Sequence, residues 1–403
     1  MISSIRYVFN IGGFMKKVVL FCLFFSIMIF LSASSGCLFL SINPSAISRS
    51  MGNCGGVADA WHQSPNVGWS NPALASVHDG LQIGYSHDAW FEEAGISDIY
   101  VNHSYANMTF RGIGVTIPLP NSIIKDRLQF GTTLDYGGMD RTDEENNDLG
   151  TFEAYETATK VTFAFNPMEY YKESLKETSF RAVDLHLGLT YNYVYSDLAP
   201  AGSGTPEYET KGNGSASSLD LGVLAKVNIH EIMNNDMFNL ECSIGFSSTN
   251  VGNEIIGYGN YPGQADPLPN VNSQGFGLYA SIPNRSTYLT EDLTGFIPNL
   301  FSIMYTNGMS KDENDDRDPE TGSGIEIGIG DTFFYRIGKL EDRDGGLSGD
   351  SRGFGFRFNY LDYGTVEYNW AEFPGGSLTD YQRMEDWMIN LNILKVIKIL
   401  KNK

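Results

Sequence analysis

The chain has 403 residues, with 48 acidic against 27 basic side chains and a formal charge of −21. That excess of carboxylates excludes a nucleic-acid partner, whose phosphates are held by lysine and arginine, and suits loops that face water on an exported protein. Aromatics at 13 %, 44 glycines and a hydrophobic share of only 42 % favour β-structure over helix.

Residues 1–35 carry Arg6, Lys16 and Lys17 and no acid, then an almost wholly apolar run from Val18 to Leu31, then small residues from Ala33 to Gly36. That order is a secretory signal peptide; Met15, before two lysines, is a second candidate start. The run is shorter than the ~20 residues a spanning helix needs. No later apolar run reaches about 18 residues, which excludes a helical membrane protein. Cys37 invites a lipoprotein reading, although Ser34 stands where a lipobox carries Leu, Val or Ile. Cys37, Cys54 and Cys242 remain after cleavage, odd in number and without motif spacing, so neither a disulfide framework nor a zinc site is expected. Cys242 alternates with Leu240 and Ile244 and reads as a small apolar residue on a strand face.

Residues 36–78 are too polar and too glycine-rich for a membrane helix. They close on Trp69-Ser70-Asn71-Pro72-Ala73, where Asn71 is held extended by the proline that follows it. Beyond them a period of two takes over. Val183, Leu185, Leu187, Leu189, Tyr191, Tyr193 and Tyr195 alternate with Asp184, His186, Gly188, Thr190 and Asn192. The same dyad runs through Leu219–Val223, Phe238–Phe246, Phe354–Tyr360 and Trp387–Ile393. About fourteen such segments lie between Leu81 and Leu394, with lengths near the ~9–11 residues that cross a bilayer and aromatic clusters at Tyr191–Tyr195 and Tyr360–Tyr368. A soluble sandwich also alternates, but these lengths and girdles predict an all-β, transmembrane antiparallel barrel over residues 79–394, with Asp184, Asp220, Glu241 and Arg357 facing its lumen. Asp140–Glu153, Asp197–Ser217, Asn250–Gln274, Ser310–Ser323 and Glu341–Arg352 read as long loops on one side, with short turns opposite. Pro167–Lys176 reads as a short helix or a charged turn. Residues 395–403 form a basic tail, either an amphipathic helix on anionic headgroups or an extension of the last strand.

Chemistry is sparse. Gly349-Asp350-Ser351-Arg352-Gly353 matches the nucleophile-elbow pattern, which needs a strand before it and a helix after it; here an acidic loop precedes and a strand follows. His62, His78, His87, His103, His186 and His230 lack metal-ligand spacing. Asp312, Asn314, Asp316 and Asp318 alternate as calcium ligands do, but Arg317 and Ser323 replace the glycine and glutamate of such a loop. No catalytic residue, confident metal site or cofactor is expected.

The stretch Ser45–Ala75 resembles the opening of the PorV/PorQ family, within the wider FadL-like outer-membrane barrels. The residues that carry the likeness are Arg49-Ser50-Met51-Gly52, Gly55-Gly56-Val57-Ala58 and Asn71-Pro72-Ala73. Downstream, Ser248–Gly252, Gly324–Ile327 with Phe334–Gly338, and Gly353–Phe356 through Leu361–Tyr363 resemble further motifs of the family in the same order. The chain departs from it in lacking an aspartate before Asn-Pro-Ala and in ending on lysines rather than an aromatic. The resemblance implies an outer-membrane barrel of a Gram-negative bacterium in contact with lipid, with residues 36–78 as a lumenal plug. It also implies a role. One is work beside a type IX secretion machine, with secreted cargo or machine components as partners. Another is passage of small hydrophobic molecules, with Trp61, Trp69, Trp90 and Phe91 as apolar contacts above the plug. A third is a structural surface protein without transport.

Overall fold

A computed structural model describes residues 36–53, 56–64, 68–90, 99–119, 131–142, 148–171, 182–199, 212–233, 237–252, 266–285, 295–314, 318–342, 347–361, 363–375, 380–393 and 395. The signal segment, Cys54, Gly55, Phe91, Asp316 and nearly all of the basic tail lie outside the described residues.

Fifteen strands follow one another along the chain: β1 Gly80–Trp90, β2 Ile99–Phe110, β3 Ile113–Pro118, β4 Gly131–Thr142 and β5 Asp148–Phe165. Then come β6 Val183–Ala199, β7 Gly212–Asn228, β8 Asn239–Gly252, β9 Val271–Pro283 and β10 Asn299–Asp312. The last are β11 Glu320–Ile329, β12 Phe333–Glu341, β13 Gly349–Tyr360, β14 Gly364–Pro374 and β15 Tyr381–Leu391. Each pairs antiparallel with its neighbours, and β1 pairs with both β15 and β2, so the sheet closes into a ring. Closure gives each strand a neighbour on both sides, the condition for a sheet in lipid.

The ring is inside-out. On β6, Leu187, Leu189, Tyr191 and Tyr193 are 41–51 % exposed while His186, Thr190 and Asn192 are buried. Phe301, Ile303 and Tyr305 on β10, Tyr335 and Ile337 on β12, and Trp387, Ile389 and Leu391 on β15 repeat the pattern. An apolar outer band over a polar interior is the polarity of a membrane barrel and the reverse of a soluble one, and this decides against a soluble sandwich. Cys242 is half-buried and takes the outward parity of Ile244 on β8.

Fifteen strands fill fourteen places. Both β3 and β4 lie between β2 and β5: β3 pairs with Tyr105–Phe110 and β4 with Tyr100–Ser104 of β2. They share one place in the ring, and β3 meets β4 where Gly131 N donates to Leu119 O at 3.4 Å. Along β5 the ladder runs from Phe165 to Thr162 against β3 and resumes at Ala158 against β4. Thr159, Lys160 and Val161 fall in the seam between the two runs.

The five expected loops all lie at one end of the barrel, here the loop end, and are shorter than expected. β4 and β5 extend to Thr142 and from Asp148, and β12 and β13 to Glu341 and from Gly349. Backbone pairing needs no apolar side chain, so the ladder continues above the hydrophobic band. The opposite end has tight turns at 111–112, 330–332 and 361–363, but also long connections at 166–182 and 284–298, contrary to the expectation of short turns alone. Pro167–Tyr171 is helical there (α2; the earlier helix α1 is Ala46–Ser50), as is Ile229–Ile232 (α3).

The described residues of 36–78 lie against the inner face of the ring, beginning at the loop end, where Gly36 N donates to Pro267 O. Asn107 Nδ2 and Thr109 Oγ1 of β2 donate to Ala75 O at 3.1 and 2.7 Å. Ser247 Oγ of β8 donates to Ser70 O at 2.6 Å, and Ala46 N donates to Asp386 Oδ2 of β15 at 2.9 Å. Glycines in the wall make the room. A Cβ on Gly222 would lie 2.2 Å from Asn71 Oδ1, and one on Gly188 2.3 Å from Ala73 N. Gly222→Val is therefore expected to overpack this contact, costing about 1–3 kcal/mol. Limited proteolysis should cut the variant within residues 36–78 at protease levels the native barrel resists; equal resistance would show that the contact is dispensable.

Candidate functional site

The inner segment meets the wall at three polar centres. The first is built on His62, which follows a 3-10 turn at Ala58–Trp61. Arg357 Nη2 of β13 donates to His62 Nδ1 at 2.8 Å, which leaves His62 Nε2 to donate to Glu326 Oε1 of β11 at 3.1 Å. Arg336 Nε of β12 donates to Glu326 Oε2 at 2.6 Å, and Arg357 Nε to Glu367 Oε2 of β14 at 2.7 Å. Asn369 joins the two halves, accepting from Arg336 Nη1 at 2.8 Å and donating to Asp386 Oδ1 at 2.8 Å. Arg336 is fully buried, so each of its neighbours is needed to offset the cost of desolvating it.

The second centre holds Trp61. Its Nε1 donates to Glu241 Oε2 at 2.8 Å and its ring stacks on Tyr279 at 5.7 Å. Lys226 Nζ donates to Ala60 O at 3.2 Å and pairs with Glu241 at 3.5 Å.

The third holds Trp69, beside the seam in the wall. Lys160 Nζ sits 4.0 Å from the centre of its ring, and His103 meets it edge-on at 5.0 Å. Lys160 also pairs with Asp220 Oδ2 at 3.0 Å, both side chains buried. A hollow of about 10 Å³ lies here, lined by Pro44, Gly68, Trp69, Tyr105, Thr116, Lys160 and Thr162. A second hollow, of about 40 Å³, lies nearer the loop end, where Asn43, Asn53, Ser70, Thr249, Val271 and Ser310 line it and Trp69 borders it too.

Most of the motif residues hold the segment to the wall. Asn71 Oδ1 accepts from Ala73 N at 3.1 Å, capping a 3-10 turn that begins at Pro72. Met51 and Gly52 pass against Gly322, Gly324 and Gly338 of β11 and β12, and Gly56 has positive φ beside Ser70. The Arg49 guanidinium lies 4.8 Å above the Phe373 ring. Of the expected apolar contacts, Trp61 is committed to Glu241 and Tyr279, Trp69 borders both hollows, Trp90 ends β1, and Phe91 lies outside the described residues.

Of the weak calcium candidates, Asp316 lies outside the described residues, and Asp312 and Asn314 serve the backbone around them. Asp312 Oδ1 already accepts from Asn270 N and Asn314 N, both at 3.0 Å, and the Asn314 amide donates to Leu268 O. These groups close a turn instead of facing one another, and no set of three acidic, histidine or cysteine side chains suited to a metal occurs among the described residues. Ser351 lies on β13, not at a strand-to-helix elbow. Cys37 Sγ donates to Glu156 Oε1 at 3.0 Å inside the ring. Burial, and then the Glu156 carboxylate, push this thiol well above its usual range.

His62, Lys160, Glu326, Arg336 and Glu367 were not singled out as a site from the sequence. Their signal was parity: each charged strand residue takes the inward position of its dyad. What no parity reveals is which inner groups meet.

No protein-family model matches the chain, and no curated protein is similar enough to align with it. Solved structures that are similar in shape include a FadL homologue of Pseudomonas aeruginosa, at 9 % identity and a TM-score of 0.36, covering 86 % of this chain and 97 % of that one. The toluene transporter TbuX of Ralstonia pickettii has 9 % identity and a TM-score of 0.40 over 86 % and 97 %. The toluene transporter TodX of Pseudomonas putida has 9 % and 0.37 over 90 % and 97 %. Similarity of this order assigns no function; the barrel stands on its own ladder.

Glu326→Ala would strand the Arg336 guanidinium in the interior and is expected to cost about 3–5 kcal/mol. Glu326→Ala/Arg336→Met should recover much of that loss. Urea unfolding in detergent measures both, and a double variant as weak as the single one would refute the pairing.

Proposed function

We propose that the protein is an outer-membrane channel for small hydrophobic molecules, with residues 36–78 as its plug. One observation carries this reading. Beside the hollow at Trp69, which Lys160 and Thr162 line, the β5 ladder passes from β3, last paired at Thr162, to β4, first paired at Ala158, and the second hollow leads from Trp69 toward the loop end. The route runs from the loops, past Trp69, and sideways through the seam into the acyl layer.

The hollows are far smaller than the ~150 Å³ cavity that takes up benzene, so this is the closed state. Passage requires the segment around Gly68 and Trp69 to yield. The His62 network, on the opposite side of the ring, anchors the remainder of the plug while that part moves.

The secretion role rests on the motif resemblance, whose residues occupy packing positions here: Asn71 in a cap, Gly324 against Met51, Glu326 between His62 and Arg336. Any plugged barrel needs such contacts, so the likeness does not favour secretion over passage. The roles separate on deletion of the gene. A secretion partner would lose surface-displayed proteins with uptake unchanged, and a channel would show the reverse.

Gly68 offers the direct test. A Cβ there would find Thr162 Oγ1 at 3.4 Å and nothing closer, so Gly68→Ala enters the hollow at ordinary contact distance. Cells bearing the protein should take up radiolabelled toluene faster than empty-vector cells. Gly68→Ala should cut the difference at least about fivefold, while the unheated protein keeps its fast migration on gels. Unchanged uptake by the variant overturns the route; no protein-dependent uptake overturns the channel, and leaves a structural role.

A further inference from the structure

We infer that the passage at Trp69 selects neutral solutes that carry a hydrogen-bond acceptor, such as a ketone, ester or ether oxygen, over plain hydrocarbons and over carboxylates. The inference rests on the channel reading above and names the substrate class of that route.

Trp69 is 5 % exposed, and its Nε1 is buried without a hydrogen-bond partner. The protein treats its other lumenal indole differently: Trp61 Nε1 donates to Glu241 at 2.8 Å. An unmet buried donor is costly, and this one belongs to the residue that borders both hollows. Lys160 over the ring and His103 against it hold the indole in place. Trp69 borders both hollows, so a solute moving from one to the other passes this residue.

The remaining polar groups of the inner hollow are occupied. Thr116 Oγ1 donates to Asn107 Oδ1 at 2.9 Å, Thr162 Oγ1 shares a proton with Thr190 Oγ1 at 2.8 Å, and the Tyr105 hydroxyl donates to Ala158 O at 3.4 Å. Lys160 provides no free charge for an anion. Its ammonium is 3.0 Å from Asp220, whose other oxygen accepts from Asn192 Nδ2 and Asn250 N, both at 2.6 Å. A carboxylate entering here would be buried against a cation already neutralised, at a cost that excludes it. A neutral oxygen acceptor meets the unpartnered Trp69 N–H and brings no charge into the interior.

Acetophenone and cumene test this, being neutral aromatics with the same number of heavy atoms, and benzoate supplies the anionic arm. Uptake by cells bearing the full-length protein is measured above empty-vector cells, for the native chain and for Trp69→Phe, which keeps an aromatic ring and removes the N–H. The native ratio of acetophenone to cumene uptake should exceed the Trp69→Phe ratio by about tenfold, one good hydrogen bond, with cumene uptake little changed and benzoate excluded. Comparing ratios cancels the different partition of the two solutes into lipid. Should Trp69→Phe lose its heat-modifiable mobility, calorimetric binding to the native protein in detergent decides, with acetophenone about tenfold tighter than cumene after correction for transfer from water. Equal ratios, equal corrected affinities, or uptake of benzoate overturn the selectivity while leaving the channel standing. Uptake of none of the three above empty-vector cells overturns the channel itself.

Discussion

Lysine, arginine, aspartate and glutamate side chains point into this barrel at the depth of the hydrocarbon layer, and each must find a partner. Buried ions cost several kcal/mol apiece when unpaired, and the neighbouring strand supplies only part of what they need. Glu326 and Glu367 receive their arginines from β12 and β13, yet His62, between Glu326 and Arg357, comes from the inner segment. Ala46 N reaches Asp386, and Ala60 O reaches Lys226. The wall and the segment are therefore two halves of one polar core. Removing the segment would leave the charges of the wall facing an emptier, wetter lumen.

The same demand explains why the wall alternates between glycine and charge on its inner face. Where the segment offers backbone, as at Met51, Gly52, Asn71 and Pro72, the wall withdraws to Gly324, Gly338, Gly222 and Gly188. Where the segment offers a side chain, as at Trp61 and His62, the wall answers with Glu241 and Glu326. Gly324-Ile325-Glu326 shows both devices within three residues: a glycine that admits Met51, an outward isoleucine for lipid, and a carboxylate for His62 and Arg336.

Against this tight fit, the region around Trp69 is loosely made. The ladder lapses beside Lys160, two small hollows adjoin, and an indole donor goes without an acceptor. A membrane wall is under strong pressure to close its hydrogen bonds, and this is why the proposed route is drawn past Trp69 and not through the His62 network.

Much of this was legible in the residues. The dyad of β6, with leucine and tyrosine alternating against His186, Thr190 and Asn192, already specifies a strand with one lipid face, because side chains alternate across a strand whatever surrounds it. The inward parity of Asp220, Glu241 and Arg357 followed from the same rule, and Asn71-Pro72 announced a fixed corner through local sterics. Local chemistry could not show that β3 and β4 share one place in the ring, since both carry ordinary strand patterns and the sharing exists only in their register against β5. Nor could it pair His62 with Glu326, 264 positions away, or set Trp69 apart from Trp61. Alternation is a property of each strand alone, whereas pairing, cavity and an unmet donor arise when distant segments are enclosed together, and closing the ring is what brought them there.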